Sequence, residues 1–140
     1  MAEKKKRKRK GVISKAKKKM AVARAVIRKG KGVVRINSIA LHSLNSPYVQ
    51  ELVMEPLELA GGISGEVDIE VQVAGGGFMG QAVASRAAIA KALLEFRPDE
   101  KLRKKFLAYD RMLLVDDVRR VESKKQLGPK ARKKKQKSKR

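Results

Sequence analysis

The chain has no cysteine and no tryptophan in 140 residues, a single histidine, and only five aromatics, three Phe and two Tyr. Without cysteine there is no disulfide, no thiolate zinc knuckle and no thiol nucleophile. One histidine, His42, in a stretch with loop character cannot be assembled into a Ser-His-Asp group. No apolar run reaches the ~18 residues that a membrane-spanning helix needs. The basic start lacks the apolar centre of a secretory signal. The expectation is a soluble intracellular protein with no membrane partner, no cofactor, no metal and no enzymatic centre. Acids are scarce too, 14 against 36 Lys and Arg, for a formal net charge of +22.

That surplus is unevenly placed. Residues 1–31 carry net +14, residues 32–96 net −4, residues 97–117 net +1 and residues 118–140 net +11. The middle is an ordinary, slightly acidic domain flanked by two cationic ends. Segments so charged repel themselves unless a polyanion neutralises them, and the obvious polyanion is nucleic acid. We divide the chain into a basic N-terminal arm (1–19), a globular domain (20–118) and an extended basic C-terminal tail (119–140). Lys4 to Lys10 could also pass for a nuclear import signal.

The core is written most clearly between Glu66 and Phe96. Val67, Ile69, Val71 and Val73 alternate with acids and Gln72, the period of a half-buried strand. Gly75-Gly76-Gly77 then allows a sharp change of direction. Six alanines between Ala82 and Ala92 favour a helix able to lie close to a sheet. Upstream, Met20 to Ile27 and Val33 to Ile39 are apolar runs joined by Gly30-Lys31-Gly32, which reads as a hairpin with Lys31 at its tip and Arg35 nearby. Ser46-Pro47 starts a helix that Pro56 ends or kinks. Pro98-Asp99-Glu100 opens another, with acids where the helix dipole favours them. Lys101, Arg103, Lys104 and Lys105 make its basic face. Met112 to Val115 reads as a short strand. Asp116-Asp117, ahead of Arg119 and Arg120, is more economically read as an ion-pairing group than as a metal site. Phe78, Phe96, Phe106 and Tyr109 fall on expected core stripes.

Gly75-x-Gly77-x-x-Gly80 follows a strand and precedes a helix, as a dinucleotide fingerprint does. Its wider context does not fit: Asp99 and Glu100, near the ribose-binding distance, open a helix instead of ending a second parallel strand. The glycines are better explained by tight strand-to-helix packing. With its aromatics assigned to the core, the chain has little to stack on splayed bases. Recognition should therefore run through shape and phosphate. Six to ten phosphate contacts would cost roughly three to five decades of affinity between low and moderate salt.

Longer motifs carry a resemblance. Gly75-Gly76-Gly77-Phe78-Met79-Gly80-Gln81-Ala82, with Arg86, Ile89, Ala90, Ala92 and Leu93 at fixed offsets, resembles the signature of the universal small-subunit ribosomal protein 9 family in its archaeal form. So do Lys104-Lys105-Phe106 with Tyr109-Asp110-Arg111, and Asp117 with Arg119, Arg120 and Glu122. The close, Gly128-Pro129 with Ala131-Arg132 and then Gln136 to Arg140, is similar as well, and Lys17-Lys18-Lys19 with Ala21, Ala23, Arg24 and Ala25 resembles the family's opening strand. Met20 and Met112 stand where the family usually has Thr, Ser38 where a hairpin Gly is common, and Lys139 where Tyr is usual.

The resemblance implies an α+β fold: one small domain with a mixed β-sheet, helices on one face and a left-handed β-α-β unit. It implies a cytoplasmic, ribosomal protein bound to ribosomal RNA of the small-subunit head, beside neighbouring head proteins. It further implies a tail that reaches P-site tRNA. The rRNA-binding residues it suggests are Lys17, Lys18, Lys19, Arg24, Arg28, Lys31, Arg86, Arg111, Arg119, Arg120, Lys124, Lys125, Lys130, Arg132, Lys133, Lys134 and Lys135. Ser138, Lys139 and Arg140 are the implied tRNA contacts. The alternative from composition alone is a nucleoid-type protein binding DNA without sequence preference.

Overall fold

The computed structural model describes residues 11–133. Five strands form one mixed sheet in the order β1-β2-β5-β3-β4. They are β1 (Val12–Lys18), β2 (Ala21–Lys29), β3 (Val34–Ile36), β4 (Ile39–Ala40) and β5 (Val67–Ala74). The helices are α1 (Pro47–Ala60), α2 (Phe78–Phe96) and α3 (Glu100–Tyr109). β5 is antiparallel to β2 and parallel to β3, so β3, α1 and β5 form a β-α-β crossover. The fold is α+β, one small domain.

The inner face of the sheet is made of small or β-branched side chains. Ala16, Ala21, Ala23, Ala25 and Ile27 are buried there, with Val67, Ile69, Val71 and Val73 of β5. Across from them α2 presents Ala84, Ala88 and Ala92, all fully buried, and packs on β1, β2 and β5. Alanine facing alanine lets helix and sheet backbones approach closely, as the composition of 82–92 suggested. α1 packs on α2 with Val53 buried, and α3 closes the layer with Leu102 and Phe106.

Several expectations are corrected. Residues 12–18, read as part of a basic arm, form edge strand β1, paired with β2 over seven residue pairs from Val12↔Ile27 to Lys18↔Ala21. Ser14 and Ala16 turn inward while Lys15 and Lys17 turn to solvent, so the lysine density hid a period-two pattern. The hairpin thought to join 20–27 and 33–39 does not exist, because β5 is inserted between β2 and β3. The Gly30–Gly32 segment instead passes over the start of β5: Gly30 and Gly32 N–H donate to the Glu66 and Val67 carbonyls, and Lys31 and Val33 N–H donate to the Asp68 carboxylate at 2.8 and 3.0 Å. Those two backbone donors hold the Asp68 carboxyl below the usual carboxylate value. The hairpins are β1–β2 and β3–β4. Asn37 and Ser38, with φ of 47° and 71°, make the latter's two-residue turn.

α1 runs through Pro56, which is buried inside the helix, and ends only at Ala60. Met112 to Val115 is not a strand. Asp110 accepts the Met112 N–H at 2.8 Å and starts a 3-10 turn over Arg111–Leu113. Phe78 and Tyr109, placed on core stripes from the sequence, are 73% and 55% exposed, whereas Phe106 is fully buried. Phe78 is the first residue of α2 and Tyr109 the last of α3. Helix ends project past the layer that buries their middles.

Candidate nucleic-acid interface

The outer face of the sheet is open and carries cations in register. Lys15 of β1 lies directly opposite Arg24 of β2, and the next residue in that row is Gln72 of β5. Both cations are exposed. Like charges directly opposite on a sheet face are mildly destabilising, and here an uncharged residue, not an acid, completes the row. Lys17 lies one row away, across from Val22, and Arg28 lies across from Asp68 at the other end. Arg35 of β3 is exposed beside Glu70. The β1–β2 half of this face is therefore the positive half.

The C-terminal basic stretch begins at that same half. Asp117 forms a parallel bridge to Lys18. Its N–H donates to the Lys17 carbonyl at 3.0 Å and its carbonyl accepts the Lys19 N–H at 2.8 Å. The carboxylate of Asp117 is buried. Arg119 Nη2 reaches it at 2.6 Å and Lys18 Nζ at 3.0 Å. Hydrogen bonds first from Arg119, then from Lys18, hold its carboxyl far below the usual range, and the same pair raises the Arg119 pKa. Asp116 accepts from Lys91 Nζ at 2.6 Å and from the Lys17 N–H at 3.2 Å. Arg120 donates to the Lys19 carbonyl. The adjacent acids are thus an ion-pairing group, as expected for Arg119. For Arg120 the partner is a carbonyl, and Lys91 replaces it as the partner of Asp116.

Of the residues named from the sequence, Arg24, Arg28 and Lys31 are exposed on or beside the outer face, and Lys17 and Lys19 stand at the end where the tail leaves. Arg111, Arg119, Arg120, Lys124, Lys125, Lys130, Arg132 and Lys133 are exposed in the segment after α3. Glu122 engages Arg132 at 2.8 Å and Lys125 at 3.5 Å. Lys18 is committed to Asp117. Arg86 is a correction: it lies buried in the middle of α2, with Nε 2.6 Å from Glu55 and Nη1 3.0 Å from Asp110. The Tyr109 ring centroid lies 5.8 Å from its guanidinium carbon. Two carboxylates and a ring surround this buried guanidinium, which ties α1, α2 and the end of α3 together. Lys134, Lys135, Ser138, Lys139 and Arg140 lie outside the described residues, as does the stretch 1–10. Lys15 was not singled out from the sequence. The signal was its alternation with Ser14 and Ala16.

An open sheet face with unopposed cations, joined at one edge to a basic C-terminal stretch, defines a polyanion-binding α+β protein. Residues 16–140 match the family described as ribosomal protein S9/S16. The chain belongs to this family, whose members are structural proteins and not enzymes. It is 46% identical over 127 residues to the small ribosomal subunit protein uS9 of Picrophilus torridus, covering 91% of this chain and 96% of the relative. Against the protein of that name from Halobacterium salinarum it is 50% identical over 123 residues, covering 87% and 93%. Against that of Methanococcus vannielii it is 44% identical over 123 residues, covering 85% and 92%.

Proposed function

We propose that the chain is a structural constituent of the small ribosomal subunit in the cytoplasm, held on ribosomal RNA of the head among neighbouring head proteins. The observation that carries the RNA-binding mode is the Lys15–Arg24 row, an exposed like-charge pair in register with no acid in its row. Such a row is relieved by phosphate. Residues 119–140 supply a further run of positive charge as a tail, and its Ser138, Lys139 and Arg140 contact P-site tRNA. An arginine side chain can meet a phosphate through two parallel N–H donors. Along the path, Lys17, Lys19, Arg24, Arg28, Lys31, Arg111, Arg119, Arg120, Lys124, Lys125, Lys130, Arg132, Lys133, Lys134 and Lys135 neutralise RNA phosphates.

The test is crosslinking in the native cell followed by sequencing of the attached RNA, with full-length protein and a chain lacking 138–140. The reading expects head rRNA from both proteins and tRNA from the full-length chain alone. It also expects truncated subunits to assemble but to hold P-site tRNA more weakly. Equal tRNA affinity in the two subunits removes the tail's role, and recovery of duplex DNA in place of rRNA removes the ribosomal reading.

A further inference from the structure

The end of the sheet where the tail leaves carries two large apolar side chains in the open. Phe78 is 73% exposed and Met20 is 61% exposed. They belong to one junction. Met20 is in the turn between β1 and β2, and Phe78 follows the glycine bend after β5. The two segments lie against each other: a Cβ on Gly75 would meet the Met20 carbonyl oxygen at 2.6 Å, and one on Gly76 would meet the Ala21 nitrogen at 3.1 Å. Gly75 and Gly76 also hold φ of +78° and +65°, which other residues rarely adopt. The bend thus fixes Phe78 beside the turn. The same end of the sheet carries exposed cations: Lys19 precedes Met20 in the turn, Arg120 donates to the Lys19 carbonyl, and Arg119 pairs with Asp117, which bridges to Lys18. A lone exposed apolar residue needs no explanation. An aromatic and a thioether exposed at the same end of the sheet as Lys19, Arg119 and Arg120 do, because that chemistry matches a nucleobase face flanked by phosphates.

We propose that Phe78, at the same junction as Met20, is a stacking platform for an unpaired ribosomal RNA base, with the cations at that end of the sheet holding the adjoining phosphates. A base inside a duplex has no free face to offer, so the occupant is a looped-out or single-stranded nucleotide. This rests on the ribosomal RNA reading above and assigns that reading a residue outside the phosphate contacts. Stacking does not release counterions, whereas phosphate contact does. The two contributions therefore separate in a salt series.

The experiment measures filter binding of the full chain to transcribed small-subunit rRNA, with duplex DNA of equal length as competitor. The proteins are the wild type, Phe78→Trp, Phe78→Leu, Phe78→Ala and Lys19→Ala. Phe78→Ala and Phe78→Leu should each weaken binding by about tenfold at every salt concentration, with the salt slope unchanged. Phe78→Trp should retain affinity, and Lys19→Ala should flatten the slope. Leu binding as well as Phe, or Ala binding within about twofold of wild type, overturns the platform while rRNA binding by the wild type keeps the ribosomal reading. Wild-type binding that prefers the duplex overturns both. Should the Ala variant melt at lower temperature, the Leu and Trp variants, which both fill the space, decide the matter. A subunit-assembly defect with unchanged RNA affinity assigns Phe78 to a neighbouring protein and also overturns the platform.

Discussion

Asp117 shows how one carboxylate can set where a charged segment begins. It is buried, two cations reach it, and its backbone completes a bridge to β1. Its folded pKa is lowered, so its stabilisation is full above the ordinary carboxylate range and is lost as pH falls through the depressed folded value. Asp117→Asn should therefore remove part of the acid limb of stability. Urea midpoints of the two proteins should differ most near neutral pH and converge as the medium becomes strongly acidic. Ser38 offers the opposite case. Its φ of 71° is a left-handed conformation in a tight turn, which costs a residue with a Cβ about 1 kcal/mol or slightly more. Ser38→Gly should raise stability by up to about 1 kcal/mol after the entropy of the freer unfolded chain is subtracted, as read by chemical denaturation. The positive φ is the physical reason a glycine suits this position.

Among the elements, α2 and β5 were the most legible. Strict alternation from Val67 to Val73 and the alanine run to Ala92 are local patterns, and each became the element it described. The alanines also set a tolerance. Ala88 is fully buried between α2 and the sheet, so Ala88→Leu should overpack the closest layer and destabilise by about 1–3 kcal/mol, measured by thermal melting. What was misread is non-local. Nothing near Gly30-Lys31-Gly32 reveals that β5, more than thirty residues later, will lie between β2 and β3. A turn signal reports a change of direction and not the neighbour. β1 was hidden for another reason: lysines at alternate positions leave a strand's solvent face intact, but they dominate composition. Phe78 and Tyr109 were assigned to the core because helical spacing does not say where a helix outruns its support.

For the whole molecule the charge distribution was readable from the outset, and the layout it takes was not. The sequence placed a surplus at both ends. The structure brings the described parts of those ends together, because β1 and Asp117 share an edge. Arg86 shows the reverse, an arginine in a family motif that serves the interior. Binding to rRNA should be steeply salt-dependent, and Arg24→Ala should lower the slope of log affinity against log salt by about 1 without changing sequence preference. Filter binding across a salt series checks this. An unchanged slope would remove Arg24 from the phosphate contacts.

The bridge at Asp117 has a geometric consequence. From that residue to Lys133, the last residue described, there are 16 further residues, whose covalent reach is at most about 55 Å when fully extended. Because Asp117 is pinned to a strand edge, β1 is the centre of that radius: each of these residues lies within it, whatever path the backbone takes. Turning the domain as a body would change the heading at which the segment departs, while the radius stays set by the count of residues alone. Inserting residues after Asp117 and reorienting the sheet are therefore two independent controls on where this basic stretch arrives.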